Sequence, residues 1–405
     1  MPGRAHGQTL ALLFIDLDGF KTANDTMGHA AGDELLRHAA HRIKEAVRPH
    51  DNVVRIGGDE FVVILENTAH IDDAAIVARR ILLAFEAKFK LIGGSAVLGT
   101  SIGISSFPSD GADAATLLQH ADLAMYSVKT SGKGDFRFFD PEFYEALRRE
   151  LALEHELRRA IDTDQFVIHY QPRMDLISNR STSVEALVRW MHPTRGLLEP
   201  QQFIALAEKT GMIVRLGELV LFKVCAQLRQ WVDKEDGLVP VSVNISSRQF
   251  NETDIARILS NAMARHGIPP HLLEIELTES SMMGGGHRVL ESLSQIRHLG
   301  IKLLVDDFGT GYSSLAQLQL LAFDILKVDK AFTSRIEHTE QGKILFTAII
   351  TMAHALGMRV VAEGVETGNQ LRILRALACD EVQGYFISFP QAPSEVQSTL
   401  LSYAS

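Results

Sequence analysis

Short apolar runs alternate with longer helical patterns along the last two thirds of the chain. The runs lie at 166–170, 184–190, 241–245, 273–277, 302–305, 325–328, 359–362 and 381–386. An apolar run of this length is typical of a buried strand. Eight strands that alternate with helices over about 250 residues predict a TIM-type (β/α)8 barrel. A doubly wound α/β sheet is the alternative, although no glycine-rich fingerprint follows the first run.

The first 140 residues have a different pattern, in which strands and helices are mixed. Strands are predicted at 10–15, 53–56, 61–65 and 100–105, and helices at 33–47, 74–89 and 113–129. The sequence Gly57-Gly58-Asp59-Glu60 between two of these strands is typical of a hairpin turn. An α+β domain is therefore expected to precede the barrel.

The dipeptide Asp140-Pro141 separates the two patterns. Proline suits the first turn of a helix, and a helical spacing rich in charge continues from Glu142 to Ile161. We predict a connecting helix at 141–163 between a first domain at 1–140 and a second domain at 150–405. The alternative is a charged surface helix that belongs to one domain.

Composition and charge limit the classes of function. The 405 residues are 46% hydrophobic and carry a formal net charge of −10. This balance argues against a protein that binds nucleic-acid polymers, which needs a basic face. Two cysteines, Cys225 and Cys379, are too few for a disulfide framework and favour the cytoplasm. No apolar stretch reaches the roughly 18–20 residues of a membrane span, and the first one stops at Asp16, too early for a secretory signal.

Polar side chains lie where the predicted strands of the second domain end. They are Glu185, Asn244, Glu276, Glu279, Asp306, Asp307, Lys327, Asp329, Glu363, Glu366 and Gln383. Asn244 and Glu276 are 32 positions apart, and Glu276 and Asp306 are 30, so a barrel gathers them at its C-terminal mouth. Oxygen donors without His or Cys favour Mg²⁺ or Mn²⁺, and two such ions can activate a water for phosphoryl displacement. Taken singly, each residue also suits a helix cap or a turn.

The second domain resembles the EAL-type cyclic di-GMP phosphodiesterases along its whole length. The matching motifs are YQP at 170–172, EALVRW at 185–190, VNIS at 243–246, ELTES at 276–280, DDFGTGYSSL at 306–315, LKVD at 326–329, AEGVE at 362–366 and QGY at 383–385. The resemblance implies that two Mg²⁺ or Mn²⁺ ions support hydrolysis of cyclic di-GMP to linear pGpG. Two other hypotheses stay open, a bifunctional diguanylate cyclase/phosphodiesterase and a non-catalytic cyclic di-GMP receptor.

The same resemblance implies a role for each matching residue. The first metal would be held by Glu185, Asn244, Glu276 and Asp306, and the second by Asp306, Asp307 and Glu363. Lys327 would orient the attacking water, Glu363 is the other candidate for its deprotonation, and Glu279 would brace the DDFGTGYSS loop. The substrate site would be lined by Gln171, Leu187, Arg189 and Gln383. Departures from the family pattern are Ser183 for a frequent Gly, Ala205 for a common Pro and Phe389 for a usual basic residue.

In the first domain, Asp16 ends a strand and Asp59-Glu60 lies in the hairpin, a pattern that suits Mg²⁺ and a triphosphate as well as an ordinary tight turn. The domain resembles the GGDEF diguanylate cyclase domain, a ferredoxin-like palm of the nucleotide-cyclase type. The matching stretches are FIDLDGFKTANDTMGHAAGD at 14–33, RIGGDEF at 55–61, SIGIS at 101–105 and ADLAMYSVKTSGKG at 121–134. The implied positions are Asp16, Asp59 and Glu60 for metal and catalysis, Asn24 and Asp33 for guanine, Lys129 and Lys133 for phosphate, and Arg48 and Asp51 for an inhibitory product site.

Two departures bear on the expected activity of the first domain. Lys133 replaces a usual arginine and loses its bidentate contact. The helix that normally precedes the first strand, with a segment like DxLTGLxNR, is missing, or was trimmed from a longer sensor protein. Because a cyclase joins two GTP molecules across a dimer, we expect weak or absent cyclase activity, with GTP or product binding kept for regulation. A homodimer is implied by the resemblance.

Overall fold

The computed structural model describes residues 9–68, 71–92, 94–234, 239–284, 286–309, 318 and 323–402. The chain forms two compact units, one up to Glu150 and the other from Leu151 onward. A helix begins at Pro141, as the sequence indicates, and continues to Asp162 across this division. Within the described ranges, no helix combines the length and the apolar character that a membrane crossing requires.

The first unit is built on a five-stranded sheet. Its elements are β1 (Leu10–Asp18), α1 (Phe20–Met27), α2 (His29–Ala46), β2 (Asn52–Gly57), β3 (Glu60–Glu66), α3 (Ile71–Glu86), β4 (Phe89–Leu91), β5 (Gly94–Ala96), β6 (Gly99–Phe107), α4 (Ala114–Thr130) and β7 (Phe136–Phe138), followed by α5 (Pro141–Asp162). The strand order is β2-β3-β1-β6-β7, with β1 antiparallel to both of its neighbours. The predicted α+β fold and the hairpin at Gly57–Glu60 are confirmed.

Strand β1 forms the centre of this unit because helices cover both of its faces. Leu13 and Ile15 pack on one face in the same core as buried residues of α2 and α3. Leu12 and Phe14 pack on the other face against α4. A strand that is covered on both faces has an almost unbroken apolar sequence, which made it predictable.

One predicted helix of the first unit extends too far. The pattern at 74–89 predicts a helix to Phe89, whereas α3 ends at Glu86 and Phe89 begins a strand. The guanidinium of Arg42 donates hydrogen bonds to the carbonyls of Ala84, Ala87 and Lys88 and lies 3.6 Å from the centre of the Phe89 ring. This tertiary contact from α2 satisfies carbonyls in the last turn of α3 and just beyond it, where the helix has ended and the chain leads into β4.

The second unit is a closed barrel of eight strands. Its elements are β8 (Phe166–Asp175), β9 (Ser181–His192), β10 (Gly196–Leu198), α6 (Ile204–Thr210), α7 (Met212–Lys234), β11 (Val241–Asn244), α8 (Ser247–Glu252), α9 (Ile255–His266), β12 (Leu273–Thr278), α10 (Glu279–Gly284), α11 (Gly286–His298), β13 (Lys302–Phe308), β14 (Ile325–Val328), α12 (Lys330–Arg335), α13 (Glu340–Ala355), β15 (Arg359–Ala362), α14 (Gly368–Ala376), β16 (Glu381–Val382) and α15 (Pro393–Ser402). The strand order is β9-β11-β12-β13-β14-β15-β16-β8, and β8 closes the barrel by pairing with β9 as well. The predicted barrel is confirmed, and β10 is an extra strand that pairs only with β9.

The first barrel strand departs from the regular (β/α)8 pattern. Strand β8 runs antiparallel to both β9 and β16, whereas the other neighbouring pairs in the barrel are parallel. Only the residues at 176–180 connect β8 to β9. A parallel pair needs a crossover of a dozen or more residues, so this short loop permits only an antiparallel pair.

The last strand is shorter than predicted. The apolar run at 381–386 predicts a strand, but β16 includes only Glu381 and Val382. From Gly384 the chain turns, with the amides of Ile387 and Ser388 both donating to the Gly384 carbonyl. The closely packed backbone of Val365 leaves no room for a Cβ at this glycine.

A buried layer of charge lies at the end of the barrel where β8 finishes and its neighbours begin. Arg173 of β8 is 3.0 Å from the carboxylate of Glu274 and 2.5 Å from that of Glu381. The hydroxyl of Ser183 donates to the same Glu274 at 3.0 Å and to the carbonyl of Pro240 at 3.1 Å. The serine that departs from the family pattern therefore belongs to this layer.

Ser183→Ala should lower the free energy of unfolding of the barrel by about 1.5–3 kcal/mol, the usual net value for a hydrogen bond to a charged group. Urea unfolding followed by tryptophan fluorescence measures it, because both tryptophans, Trp190 and Trp231, are buried in the second unit. The matched control is Ser334→Ala, an exposed helix hydroxyl, which should change stability by less than about 0.5 kcal/mol. Equal midpoints for Ser183→Ala and the wild type would contradict the prediction.

Candidate functional site

A buried lysine lies at the centre of the barrel mouth. Lys327, near the end of β14, is 1% exposed, and its ammonium group contacts four carboxylates. The distances from Nζ are 2.7 Å to Glu276, 2.8 Å to Glu363, and 3.3 Å to Glu185 and to Asp306. The carboxyl ends of parallel strands meet at one mouth, which is why residues far apart in the sequence converge here.

The carboxylate of Glu185 links this cluster to the amides that surround it. It accepts hydrogen bonds from Asn244 at 2.7 Å and from Gln383 at 2.6 Å. Gln383 also donates to Gln171, whose own amide donates to the carbonyl of Ser388. Three predicted site residues, one from β8, one from β9 and one just after β16, are thereby held in fixed orientations.

Asp306 and Asp307 reach the same site through an irregularity in β13. Val305 of β13 pairs with Leu326 of β14, and Phe308 pairs with Val328. Two residues of β13 between these pairs therefore lie opposite one residue of β14. Asp307 has a left-handed φ of 54°. In a regular strand adjacent side chains point to opposite faces, and a bulge of this kind redirects one of them. Oxygens of Asp306, Asp307 and Glu363 consequently lie within 4.8 Å of one another.

Burial and charge shift the pKa values in the cluster. Burial raises the pKa of Glu276 to about 8, and the neighbouring Glu185 adds to the shift while Lys327 opposes it. Burial also raises the pKa of Glu363. Burial acts to raise the pKa of Glu185, but Lys327 and the two amide donors outweigh it and lower that pKa. Burial alone would lower the pKa of Lys327, yet the surrounding carboxylates raise it.

The donor set fits divalent cations. Oε1 of Glu276 is buried and has no hydrogen-bond partner among the residues that the structure describes. The three converging oxygens of Asp306, Asp307 and Glu363 provide a second group of donors. Carboxylate and amide oxygens are the ligands that Mg²⁺ and Mn²⁺ prefer. A buried carboxylate oxygen without a hydrogen-bond partner, as at Glu276, is what a cation site in an acidic cluster would use.

Other predicted residues surround the cluster without contacting Lys327. Oε2 of Glu279 accepts a hydrogen bond from the amide of Gly309 at 2.8 Å, a residue in the motif that Glu279 is predicted to brace. Positions 310–315 of the DDFGTGYSSL motif lie outside the described residues. Arg189 is buried and donates to the carbonyl of Val188. The carboxylate of Asp329 accepts a hydrogen bond from the amide of Ala331 and so caps α12. This is the helix-cap role that the sequence offers as an alternative to a site role.

A cavity opens above the cluster. Its lining includes Glu185, Glu363, Asp307, Gln171, Leu187, Gln383, Asp329, Glu366, Gln201 and Tyr385. Three of the four predicted substrate-contacting residues, Gln171, Leu187 and Gln383, are in this lining, and the fourth, Arg189, is outside it. Sequence reasoning missed Gln201 and Tyr385, although the second directly follows the QG pair of a motif.

The first unit brings a different group of acidic residues together. Asp16 and Glu60 lie opposite each other on β1 and β3, and Nζ of Lys129 is 2.6 Å from Asp16. Burial raises the pKa of Asp16, and Lys129 opposes the shift. Burial, followed by the charge of Asp122, raises the pKa of Glu60. Sequence reasoning did not include Asp122 of α4 in this acidic group, because the stretch at 121–134 that contains it predicts only a helix at this position.

The remaining predicted positions of this unit lie nearer its surface. The side chain of Asn24 packs so closely on Gly32 that a Cβ at Gly32 would clash with it. Asn24 therefore lies next to the segment that carries the exposed Asp33. Lys133 is exposed. Asp51 accepts a hydrogen bond from the backbone amide of Arg48 at 2.8 Å, so the RxxD segment forms a turn with an exposed arginine.

The fold and the site together define a barrel protein with an acidic, oxygen-rich centre at the carboxyl ends of its strands. The EAL domain model matches residues 154–390, and the model of the diguanylate cyclase, GGDEF domain, matches residues 2–135. The chain belongs to the EAL domain family and carries a GGDEF domain before its EAL domain. The resemblance found in the sequence is thereby confirmed.

Relatives share this arrangement along nearly the whole chain. The bifunctional diguanylate cyclase/cyclic di-GMP phosphodiesterase MucR of Pseudomonas aeruginosa is 38% identical over 390 residues, which are 96% of this chain and 57% of that protein. The cyclic di-GMP phosphodiesterase PdeR of Escherichia coli is 38% identical over 387 residues, 95% of this chain and 58% of PdeR. The chain spans about half the length of the curated relatives it matches.

One solved structure supports the barrel in particular. The PaMucR phosphodiesterase, determined as a c-di-GMP complex, is 39% identical and has a TM-score of 0.58. The match covers 60% of this chain and 99% of the other.

Proposed function

We propose that this chain hydrolyses cyclic di-GMP to linear pGpG in its second unit. The observation that carries the proposal is the buried cluster of Lys327 with the carboxylates of Glu185, Glu276, Asp306 and Glu363 at the barrel mouth. The names of MucR and PdeR and the c-di-GMP complex of PaMucR support the choice of substrate. The intact ligand set argues against a receptor without catalysis.

The reaction requires water to add to one phosphorus of the cyclic dinucleotide. The bond from that phosphorus to the 3′ oxygen breaks, the 3′ oxygen takes up a proton, and the phosphate remains on the 5′ side of the product. Two divalent cations bound to the carboxylates would supply activation of the water and neutralisation of the developing charge. Glu185, Asn244, Glu276 and Asp306 would hold one of them, and Asp306, Asp307 and Glu363 the other.

The residues of the chain have separate roles in this proposal. The ammonium of Lys327 orients the water by hydrogen bonding. Glu363, whose carboxylate is 2.8 Å from that ammonium, is the other candidate for helping to remove the proton of the water. The planar guanidinium of Arg189 pairs with a phosphate of the substrate. Gln171, Leu187 and Gln383 line the site and fix the orientation of the dinucleotide.

The experiment that tests the proposal is chromatography of the products formed from cyclic di-GMP. We expect pGpG with Mg²⁺ or Mn²⁺ and no product in EDTA. Unchanged cyclic di-GMP under all metal conditions, with the dinucleotide bound tightly, would favour the receptor hypothesis instead.

We further propose that the first unit binds guanine nucleotide and regulates the barrel, with little or no cyclase activity. The supporting observation is the pairing of Asp16 with Glu60 next to Lys129. In the described part of this unit, no three acidic side chains converge as Asp306, Asp307 and Glu363 do. A cyclase would also have to bring two such units together in a homodimer, which remains a proposal.

Incubation of a Glu185→Gln variant with GTP and Mg²⁺ tests this second proposal, because product would then accumulate without hydrolysis. We expect no cyclic di-GMP and no pGpG, while GTP changes the hydrolysis rate of the wild-type protein. Accumulation of cyclic di-GMP would instead establish the bifunctional hypothesis.

A further inference from the structure

Two aromatic rings stack on each other in the open at the barrel mouth. The ring centres of Tyr385 and Phe389 are 4.5 Å apart, with 24° between the ring planes. The two residues are 53% and 62% exposed. Exposed apolar surface that is continuous and rimmed by polar groups marks interaction sites on soluble proteins. The roles assigned above leave this pair unused.

The pair extends from the wall of the site cavity. Tyr385 lines that cavity together with Glu185, Glu363 and Gln383. A flat aromatic surface thus continues from the cavity that would hold the dinucleotide, and its shape matches the face of a nucleotide base.

The backbone holds this surface in place. The amide of Phe386 donates to the carbonyl of Val365 at 2.9 Å, and Gly384 packs against the same residue. Tyr170 and Gln391 exchange two backbone hydrogen bonds, of 2.7 and 2.9 Å. The segment is therefore attached at both ends, so a ligand would meet rings that are already ordered and would lose less entropy on binding.

We propose that Tyr385 and Phe389 form a stacking platform for one base of the bound dinucleotide. The proposal rests on the proposed function and adds a residue that departs from the family, because Phe389 stands where a basic side chain is usual. Stacking of a base on an aromatic ring contributes about 1–3 kcal/mol and tolerates any base, since every base has a flat face. The platform therefore supplies affinity, and other groups select guanine.

Binding of cyclic di-GMP measured by calorimetry in EDTA tests the platform without hydrolysis. Phe389→Ala should raise Kd by about ten-fold, within the range of base–aromatic stacking. Phe389→Trp keeps a flat ring and should stay within about three-fold of the wild type. The matched control is Phe386→Ala, which removes an equally large ring that is 48% exposed in the same turn but is outside the stacked pair; its Kd should not change.

The possible outcomes separate this proposal from the hydrolase proposal. Weaker binding by Phe389→Ala, in a protein that shows no turnover, supports the platform and rejects the hydrolase. Normal turnover by the wild type with an unchanged Kd for Phe389→Ala overturns the platform. A changed oligomeric state by light scattering, again with an unchanged Kd, also overturns it and assigns the rings to a protein contact.

Discussion

Glu185→Gln should slow the hydrolysis of cyclic di-GMP by more than about 100-fold, because outer-shell partners of a metal ligand alone typically contribute 10–100-fold. The carboxylate accepts hydrogen bonds from Asn244 and Gln383 and is 3.3 Å from the ammonium of Lys327. A glutamine amide has the same shape, but it has only one acceptor oxygen and no charge. Initial rates of pGpG formation, measured by chromatography at saturating Mg²⁺, give the ratio.

A matched control separates the loss of chemistry from a general effect of the substitution. Glu218→Gln makes the same change at an exposed position of α7 and should leave the rate within about two-fold of the wild type. Tryptophan fluorescence should show that the barrel of both variants is folded. A folded Glu185→Gln variant that turns over like the control would reject the assignment of Glu185.

The strand-end pattern made much of this site predictable. Glu185, Glu276 and Lys327 each lie in or just after a buried apolar run, and a barrel can bring the ends of such runs to one mouth only. Burial on both sides makes each run apolar, so a polar residue in it is conspicuous. The arrangement of Asp306 and Asp307 was not predictable in this way. It depends on a bulge that forms only when β13 pairs with β14.

Two other features depend on contacts that sequence spacing represents poorly. The antiparallel β8 could not be inferred from the runs at 166–170 and 184–190, because the stretch between them is long enough for a crossover, and the connection becomes short only because β8 extends to Asp175 and β9 begins at Ser181. The sequence contains no pattern that predicts the buried layer of Arg173 with Glu274 and Glu381. Its members are isolated charges at the starts or ends of strands, a position that is equally common for exposed residues.

Lys327→Met should lower the free energy of unfolding of the barrel by about 3–5 kcal/mol in EDTA, the scale for removing one partner of a buried ion pair. The substitution removes the ammonium group that four carboxyl groups contact and leaves the ionised ones among them without their opposite charge. Urea unfolding followed by the fluorescence of Trp190 and Trp231 measures the loss. The matched control is Lys343→Met, whose ammonium pairs with Glu340 on the partly exposed α13 and which should cost less than about 1 kcal/mol.

Added Mn²⁺ distinguishes the cause of this loss. Cations that bind the native carboxylates stabilise the fold by an amount that grows with their concentration. Saturating Mn²⁺ should therefore restore part of the stability of Lys327→Met, whereas the control should show only the shift of the wild type. A Lys327→Met variant that is as stable as the control in EDTA would contradict the prediction. A loss that Mn²⁺ does not reduce would point to packing, because the four-carbon stem of Lys327 is buried as fully as its charge.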